Sequence, residues 1–341
     1  MSLPTNVLYK LPHSKHYTRI TSHKPPLALN ALNDVPLEGG YVIMPFVITA
    51  ETPLLFIHPD CVEVCPIKLP HPIRQQQEFY CTNENTERER YTCAFDKVKQ
   101  QLIHGNVKKV VLSRRLHIKN LPNNDAEQLF LRACHYRPNS FVAMWHTPQT
   151  GYWLVATPEP LLEIQHHQCS TVALAGTLPW AEGETPFWNH KNKEEQAIVA
   201  RYIHQQLNKV ATNVSYSPTY TLRTGNIQHL CTDFTFSINQ ATDILNTLQQ
   251  LHPTPAVCGL PCDIALNTLL KAEASPRNYY AGFSGPIHLN NETHLFVSLR
   301  CMQFTAHTAT LYAGGGIMPE SIEEEEWIET QRKMETMKSI L

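Results

Sequence analysis

The sequence predicts an α+β protein built on antiparallel sheets. Strand-like runs come in hairpin-like clusters between helices, not in strict strand–helix alternation. The chain has 341 residues, of which 42% are hydrophobic, so it can bury a large core as one big domain or two. It carries no internal repeat and no low-complexity segment.

The elements follow in chain order. Residues 41–49 (YVIMPFVIT) and 53–57 read as strands, set among Pro- and His-rich loops. Residues 81–90 (CTNENTERER) are polar and read as a connection. Phe95, Val98, Leu102 and Ile103 then keep helical spacing, and Gly105 ends that helix. Residues 108–115 (KKVVLSRR) form a buried strand flanked by cations. A helix over 126–136 precedes strands at 141–146, 152–156 and 161–165, with the turn Thr157-Pro158-Glu159-Pro160 between the last two. A strand at 171–175 runs into Gly176-Thr177, and a long helix covers 191–210. Residues 219–236 carry two strand-like runs around Gln228-His229-Leu230. The helix over 244–251 stops at His252-Pro253-Thr254-Pro255, where two prolines forbid continuation. A helix at 265–271 and strands at 279–287, 295–302 and 308–312 complete the order.

The stretch 311–333 (LYAGGGIMPESIEEEEWIETQRK) ends the pattern. An apolar run closes in Gly314, Gly315 and Gly316, and a turn follows. Ser321 with Glu324 has the spacing of a capping box for an acid-rich helix. Glu326, Glu329 and Lys333 share one face of that helix. A glycine turn before such a helix presents backbone N–H groups to an anion, and its carboxylates suit a hard cation.

Composition excludes several partners. A net charge of -2 gives no reason to expect nucleic acid, and no run is apolar enough to span a membrane. The N-terminus lacks a signal-peptide core. Ten cysteines are scattered; Cys61/Cys65 and Cys258/Cys262 are spaced C-x₃-C, which matches no zinc pattern, so a reducing cytoplasm is expected.

Four chemistries suggest themselves from the residues alone. Glu195 and Glu329, on separate helices, could share one Mg²⁺. Lys109 at a strand end could be a desolvated general base. Glu159 in its turn could be a general acid with a raised pKa. Arg300 with Tyr280 could clamp a carboxylate. Singly, each has an ordinary alternative: a surface lysine, a solvated turn glutamate, an arginine paired with a nearby acid.

Together they read differently. In order, KKVVLSR, ATPEPLLE, ALAGT, KNKEEQAIV, HPTPAVCGLP, EASPRNYYAGFSG, SLR and YAGGG…EEWIETQRK resemble the chorismate-utilising enzymes, which include isochorismate, salicylate and anthranilate synthases. The resemblance covers residues 91–341, and the first ninety match only loosely. It implies large antiparallel sheets packed on each other with helices outside, in one structural domain. In that reading 1–90 is a variable part and 91–341 the chorismate-binding region. It implies chorismate as substrate, Mg²⁺ as cofactor and a monomer. By motif, Glu195 and Glu329 match metal ligands, and Glu326 an acid supporting them. Arg300 and Tyr280 match the grip on the enolpyruvyl carboxylate. Gly314 and Gly315 match backbone donors, Lys333 a substrate-facing cation, and His252, Ala256 and Thr177 positions around the substrate. Glu273 and Arg277 look architectural.

The subfamily turns on a few positions. Lysine at 109, rather than glutamine, goes with water as nucleophile: Lys109 as base, Glu159 as acid. The lyase and anthranilate branches resemble this chain less at 256 and 262, where it has Ala and Cys instead of Thr and Lys. The expectation is therefore an isochorismate synthase, an isomerase serving menaquinone or siderophore synthesis. Salicylate synthase and a non-catalytic chorismate binder are the alternatives. Gln196, where the family has His, and Trp180, in place of an Arg-containing turn, are departures.

Overall fold

The computed structural model describes residues 5–70, 80–82, 84–121, 125–166, 168–183, 185–240 and 243–341. Two large antiparallel sheets form the body of the molecule. The strands are β1 (Thr5–Lys10), β2 (His16–Ser22), β3 (Leu27–Leu29), β4 (Gly40–Met44), β5 (Leu54–Ile57), β6 (Cys61–Pro66), β7 (Tyr80–Thr82), β8 (Lys109–Lys119), β9 (Phe141–Thr147) and β10 (Gly151–Thr157). They continue with β11 (Pro160–Gln165), β12 (Gln168–Pro179), β13 (Thr212–Tyr216), β14 (Tyr220–Thr224), β15 (Ile227–Ser237), β16 (Gly259–Leu260), β17 (Phe283–Ile287), β18 (Thr293–Val297), β19 (Cys301–Phe304) and β20 (Thr308–Ile317). The helices are α1 (Glu84–Ile103), α2 (Ala126–Tyr136), α3 (His190–Val210), α4 (Asp243–Leu251), α5 (Cys262–Ala272) and α6 (Glu323–Lys338).

One sheet runs β16-β8-β20-β19-β10-β9-β1-β2-β6, with β7 also on β8. The other runs β13-β15-β12-β11-β18-β17-β4-β5-β3, with β14 also on β15. Residues 1–90 thus supply strands to both sheets.

Alternation along the strands explains the layers. On β9, Phe141, Ala143 and Trp145 point into the core between the sheets, where Val42, Phe56, Phe234 and Phe283 of the second sheet meet them. Val142 and Met144 point the other way, onto Phe130 of α2 and Met334 and Met337 of α6. The stack of Phe141 on Phe296, with centroids 4.4 Å apart and planes 2° from parallel, joins the two sheets directly.

Several expectations change. The segment 81–90 is not a connection: α1 begins at Glu84, and Tyr91, Ala94, Phe95, Val98 and Leu102 form its buried stripe. Polar surface at the helix start hid it. The three glycines do not form a turn; they lie inside β20, paired with Ser113, Leu112 and Val111 of β8. Nor does Ser321 cap α6. The N-cap is Ile322, without a side-chain bond, and Ser321 Oγ accepts the Met318 N–H at 2.9 Å within the turn. The run 295–302 is broken after Val297, and Ser298, Leu299 and Arg300 bend before β19. Of the N-terminal strands, β1, β2, β3 and β6 carry no pattern that distinguishes them from loop.

Removing one ring of the inter-sheet stack leaves a cavity at the centre of the core. Phe141→Ala should lower unfolding stability by about 3–5 kcal/mol, read from the shift of the urea midpoint at unchanged slope.

Candidate active site

A cleft of about 620 Å³, counting the space at its mouth, opens where β8, β12 and β20 approach one another. The turn before β11, the bend before β19 and the segment after α4 close it, and Glu159, Thr177, Glu195, Ala256, Tyr280, Arg300, Gly314, Gly316 and Lys333 all line it.

The glycines of β20 make the cleft possible. A Cβ on Gly316 would stand 2.0 Å from Glu195 Oε1 and 2.9 Å from Lys109 Cε. One on Gly314 would stand 2.8 Å from the Tyr280 hydroxyl. A Cβ on Gly315 points to the other face, 3.2 Å from Glu326 Oε2 and 3.5 Å from Glu329 Oε1. The strand is thus stripped of side chains where charged groups reach it from both faces.

Its N–H groups divide the same way. The N–H groups of Val111 and Ser113 point away from β20, to Cys258 O and Glu273 Oε1. Leu112 and Gly315 are therefore the pair that exchanges ladder hydrogen bonds. Gly314 and Gly316 face the free edge beyond the end of β19, and Lys333 Nζ donates to Gly314 O there at 2.8 Å. The Gly315 N–H, expected to meet an anion, is directed at β8 in this pairing.

Arg300 is placed under constraint. It sits at φ 45°, a left-handed conformation unfavourable to a long side chain. Its Nη2 faces His229 Nε2 at 3.2 Å, while His229 Nδ1 donates to Gly176 O at 2.9 Å. Burial, with the charges of Arg300 and Lys333, pushes the His229 imidazole down to about 3, so it accepts from the guanidinium as a neutral ring. Arg300 Nη1 is buried with no partner among the described residues. A buried guanidinium with one unpaired edge suits an incoming carboxylate.

Glu159 is 4% exposed, and its N–H is anchored on Thr157 Oγ1 at 3.3 Å. Burial pushes its carboxyl up to about 7, against the opposing pull of Lys109, Arg300 and Lys333. Lys109 is 1% exposed and lies 3.0 Å from Glu195 Oε1. It enters the site behind Glu195, on the face of β20 left bare by Gly316.

The acidic residues are each matched by a lysine. Lys109 pairs with Glu195, Lys191 with Glu326, and Lys333 with Glu329 at 2.7 Å. Burial, and then the charge of Glu329, pushes the Glu326 carboxyl up to about 7. For Glu329 burial acts upward too, but Lys333 and then Lys191 outweigh it and hold it below the usual carboxylate range. Among the described residues no three His, Cys, Asp or Glu groups stand close enough to ligate a metal as they are. The donor set nevertheless fits a hard cation: burial works against the charge on Lys191, but Glu326, Glu195 and Glu329 together hold it. Glu326 touches Lys191 directly, and Glu195 and Glu329 add to the stabilisation of the same charge from farther away.

His252 does not join this group. It lies at the end of α4, its ring edge-on to Phe283 at 5.1 Å and pushed down to about 4 by burial. The turn of HPTPAV carries Ala256 and Val257 into the cleft and leaves His252 behind in the core. Glu273 and Arg277 are structural braces: Arg277 donates to Val257 O at 2.7 Å and to Val111 O, tying the edge of β8 to the segment that lines the cleft. The sequence pattern does not single out Lys191 or His229. The i, i+4 spacing of Lys191 and Glu195 could have revealed the first; nothing local marks the second. Gln196, one of the departures, is buried and donates to Thr232 Oγ1 at 2.9 Å, inside the packing of α3 on its sheet.

A deep cleft between two antiparallel sheets, with a buried arginine, a buried acid and lysine–carboxylate pairs, defines a site for a small anionic substrate. The chain belongs to the chorismate binding enzyme family, whose model matches residues 64–341. It is 29% identical over 248 residues to the isochorismate synthase MenF of Escherichia coli K12, covering 70% of this chain and 57% of that protein. It is likewise 29% identical over 246 residues to the isochorismate synthase EntC of the same organism, covering 69% of this chain and 62% of that one. These matches span about three fifths of each relative's length. The solved structure of MenF from Escherichia coli superposes with a TM-score of 0.81 at 20% identity, covering 100% of this chain and 89% of that one, which shows the shared fold.

The raised carboxyl of Glu159 has a consequence for stability. Between about pH 4.5 and about pH 7 the unfolded chain ionises this group while the folded chain keeps its proton. The folded state therefore binds more protons, and stability falls as pH rises through this window. Glu159→Gln should remove that loss: its stability relative to the parent should rise from pH 4 to pH 8, by about 1–3 kcal/mol. Urea unfolding at the two pH values tests this; an unchanged difference would show that the acid is not held neutral.

Proposed function

We propose that this protein is an isochorismate synthase: it converts chorismate to isochorismate by adding water at C2 of the ring and expelling the C4 hydroxyl. The observation that carries this reading is the presence at one cleft of a buried lysine, Lys109, held against the lining residue Glu195, and a buried acid, Glu159. The acid is raised to about 7, and the cleft has an arginine edge left free for a carboxylate. The relatives named isochorismate synthases support the same reading.

In this mechanism Arg300 takes the enolpyruvyl carboxylate on its free Nη1, and Tyr280 and Lys333 flank it. Glu195 and Glu329 would hold Mg²⁺, with Glu326 beside them; when bound, the ion supplies positive charge against the substrate's ring carboxylate. For this step Lys109 must give up its ion pair with Glu195 and act as the free amine, which removes a proton from the water that attacks C2. Glu159, protonated near neutral pH, gives its proton to the C4 hydroxyl, which leaves as water on the opposite face. The double bonds shift, and the proton gained by Lys109 balances the one lost by Glu159. Ala256 keeps the cleft roomy beside the ring. Pyruvate is not eliminated.

The direct experiment incubates the purified protein with chorismate and Mg²⁺ and separates the products by chromatography, with and without EDTA. Isochorismate in balance with chorismate, no pyruvate, and loss of turnover in EDTA are expected. Salicylate with pyruvate would move the protein to the lyase branch. Lys109→Ala should abolish hydration while chorismate still binds; activity equal to the parent's would overturn the assignment of the base. Because Glu159 must be protonated to act, kcat should fall as pH rises above about 7. Glu159→Gln should lower kcat by about 10²–10⁴ and erase that limb.

A further inference from the structure

At the outer edge of β8, beside α1, lies a second cavity of about 390 Å³, counting its mouth. α1 forms one wall, Ser113, Arg114 and Arg115 of β8 another, and the loop after α5 the third. Nothing in the proposed reaction uses it.

Its polar groups are poorly matched. Arg114 is 5% exposed; its Nε donates to Thr330 Oγ1 at 2.6 Å, and its guanidinium lies 3.7 Å over the Trp327 ring. Its Nη1 is buried with no partner among the described residues. Tyr91 is 2% exposed and meets the same Trp327 ring edge-on at 5.3 Å, and its hydroxyl is also buried and unpartnered. Arg115 Nε is a third such donor. A buried donor without an acceptor is destabilising, so several at one cavity ask for an acceptor to fill it.

The charge balance says what kind. Glu87 is answered by Arg90 at 2.8 Å, and Glu273 by Arg277. Arg114 and Arg115 make no ion pair with a carboxylate among the described residues, and the four arginines lining the cavity outnumber its two glutamates. Burial lowers the Arg114 guanidinium only to about 10, which leaves it charged at neutral pH.

We infer that this cavity binds one small oxyanion, a carboxylate or an inorganic phosphate, between Arg114 Nη1 and Tyr91 Oη. The site is distinct from the catalytic cleft, although Tyr312 lines both. Through Thr330 and Trp327 its arginine holds α6, the helix that carries Glu326, Glu329 and Lys333.

The test titrates the whole protein with sodium acetate and, separately, sodium phosphate at fixed ionic strength and fixed chloride. Tryptophan fluorescence and the thermal midpoint are read, because Trp327 touches both proposed ligands of the anion. A saturable response to one of the two is expected, and which salt produces it identifies the source. Tyr91→Phe, which removes one oxygen and keeps the ring, should weaken binding tenfold or more. Arg114→Gln should abolish it, and Arg300→Gln should leave it unchanged. A response absent from the parent protein would mean that water alone fills the cavity, and would overturn the inference. So would a response that survives Tyr91→Phe, or one that disappears in Arg300→Gln and therefore belongs to the cleft.

Discussion

The site depends on bare backbone at the end of β20. Three consecutive residues without side chains let Glu195 and Lys109 approach from one face and Glu326 and Glu329 from the other. Any Cβ at Gly316 would overlap the Glu195 carboxylate, so the charged cluster and a bulkier strand cannot coexist. The strand remains ordered because Gly315 keeps its ladder bonds to Leu112, and Arg277 with Glu273 braces the outer edge of β8. Glycine weakens a strand interior by entropy and lost packing. Here the paired neighbour and the brace compensate for that cost.

Around that strand the electrostatics are arranged as opposed pairs. Four carboxylates and a comparable number of cations are buried together, and each pair limits the desolvation cost of its members. Glu159 is the exception. It faces three cations without a direct ion pair among the described residues, and burial still outweighs them, so its proton is retained near neutral pH. That separation of behaviour, with Glu329 pulled down and Glu159 pushed up in one cleft, is what allows one group to stay anionic while another donates a proton. Arg300 has a similar asymmetry: one edge is fixed by neutral His229 and the other is left free.

Much of the fold was legible because strong periodicity marks the elements that pack on both sides. The helix over 126–136 was placed at its observed bounds, and the strands at 141–146 and 152–156 within a residue or so of theirs. Legibility failed where the chain is polar or its partner is distant. The start of α1 reads as a loop because its first turns face solvent, and β6 is exposed along nearly its whole length. The glycines read as a turn because glycine runs usually are turns. Only the groups converging on them from α3 and α6 explain why they are a strand instead.

The order of motifs along the chain, and the residue types at Lys109, Glu159, Glu195, Arg300 and Glu329, are properties of the sequence itself. So is the family to which they point. Which of those residues meet was decided by the tertiary structure. Lys109 and Glu195 are eighty-odd positions apart, and no local pattern requires their contact. His229 acquires its role only because β15 lies beside β12 and brings the ring against Gly176 and Arg300. His252 lies within a recognisable motif but is carried away from the cleft by the turn that delivers Ala256. Residue identity sets what chemistry is available; burial and cross-strand registration set its proximity and charge, and those depend on contacts between segments remote in sequence.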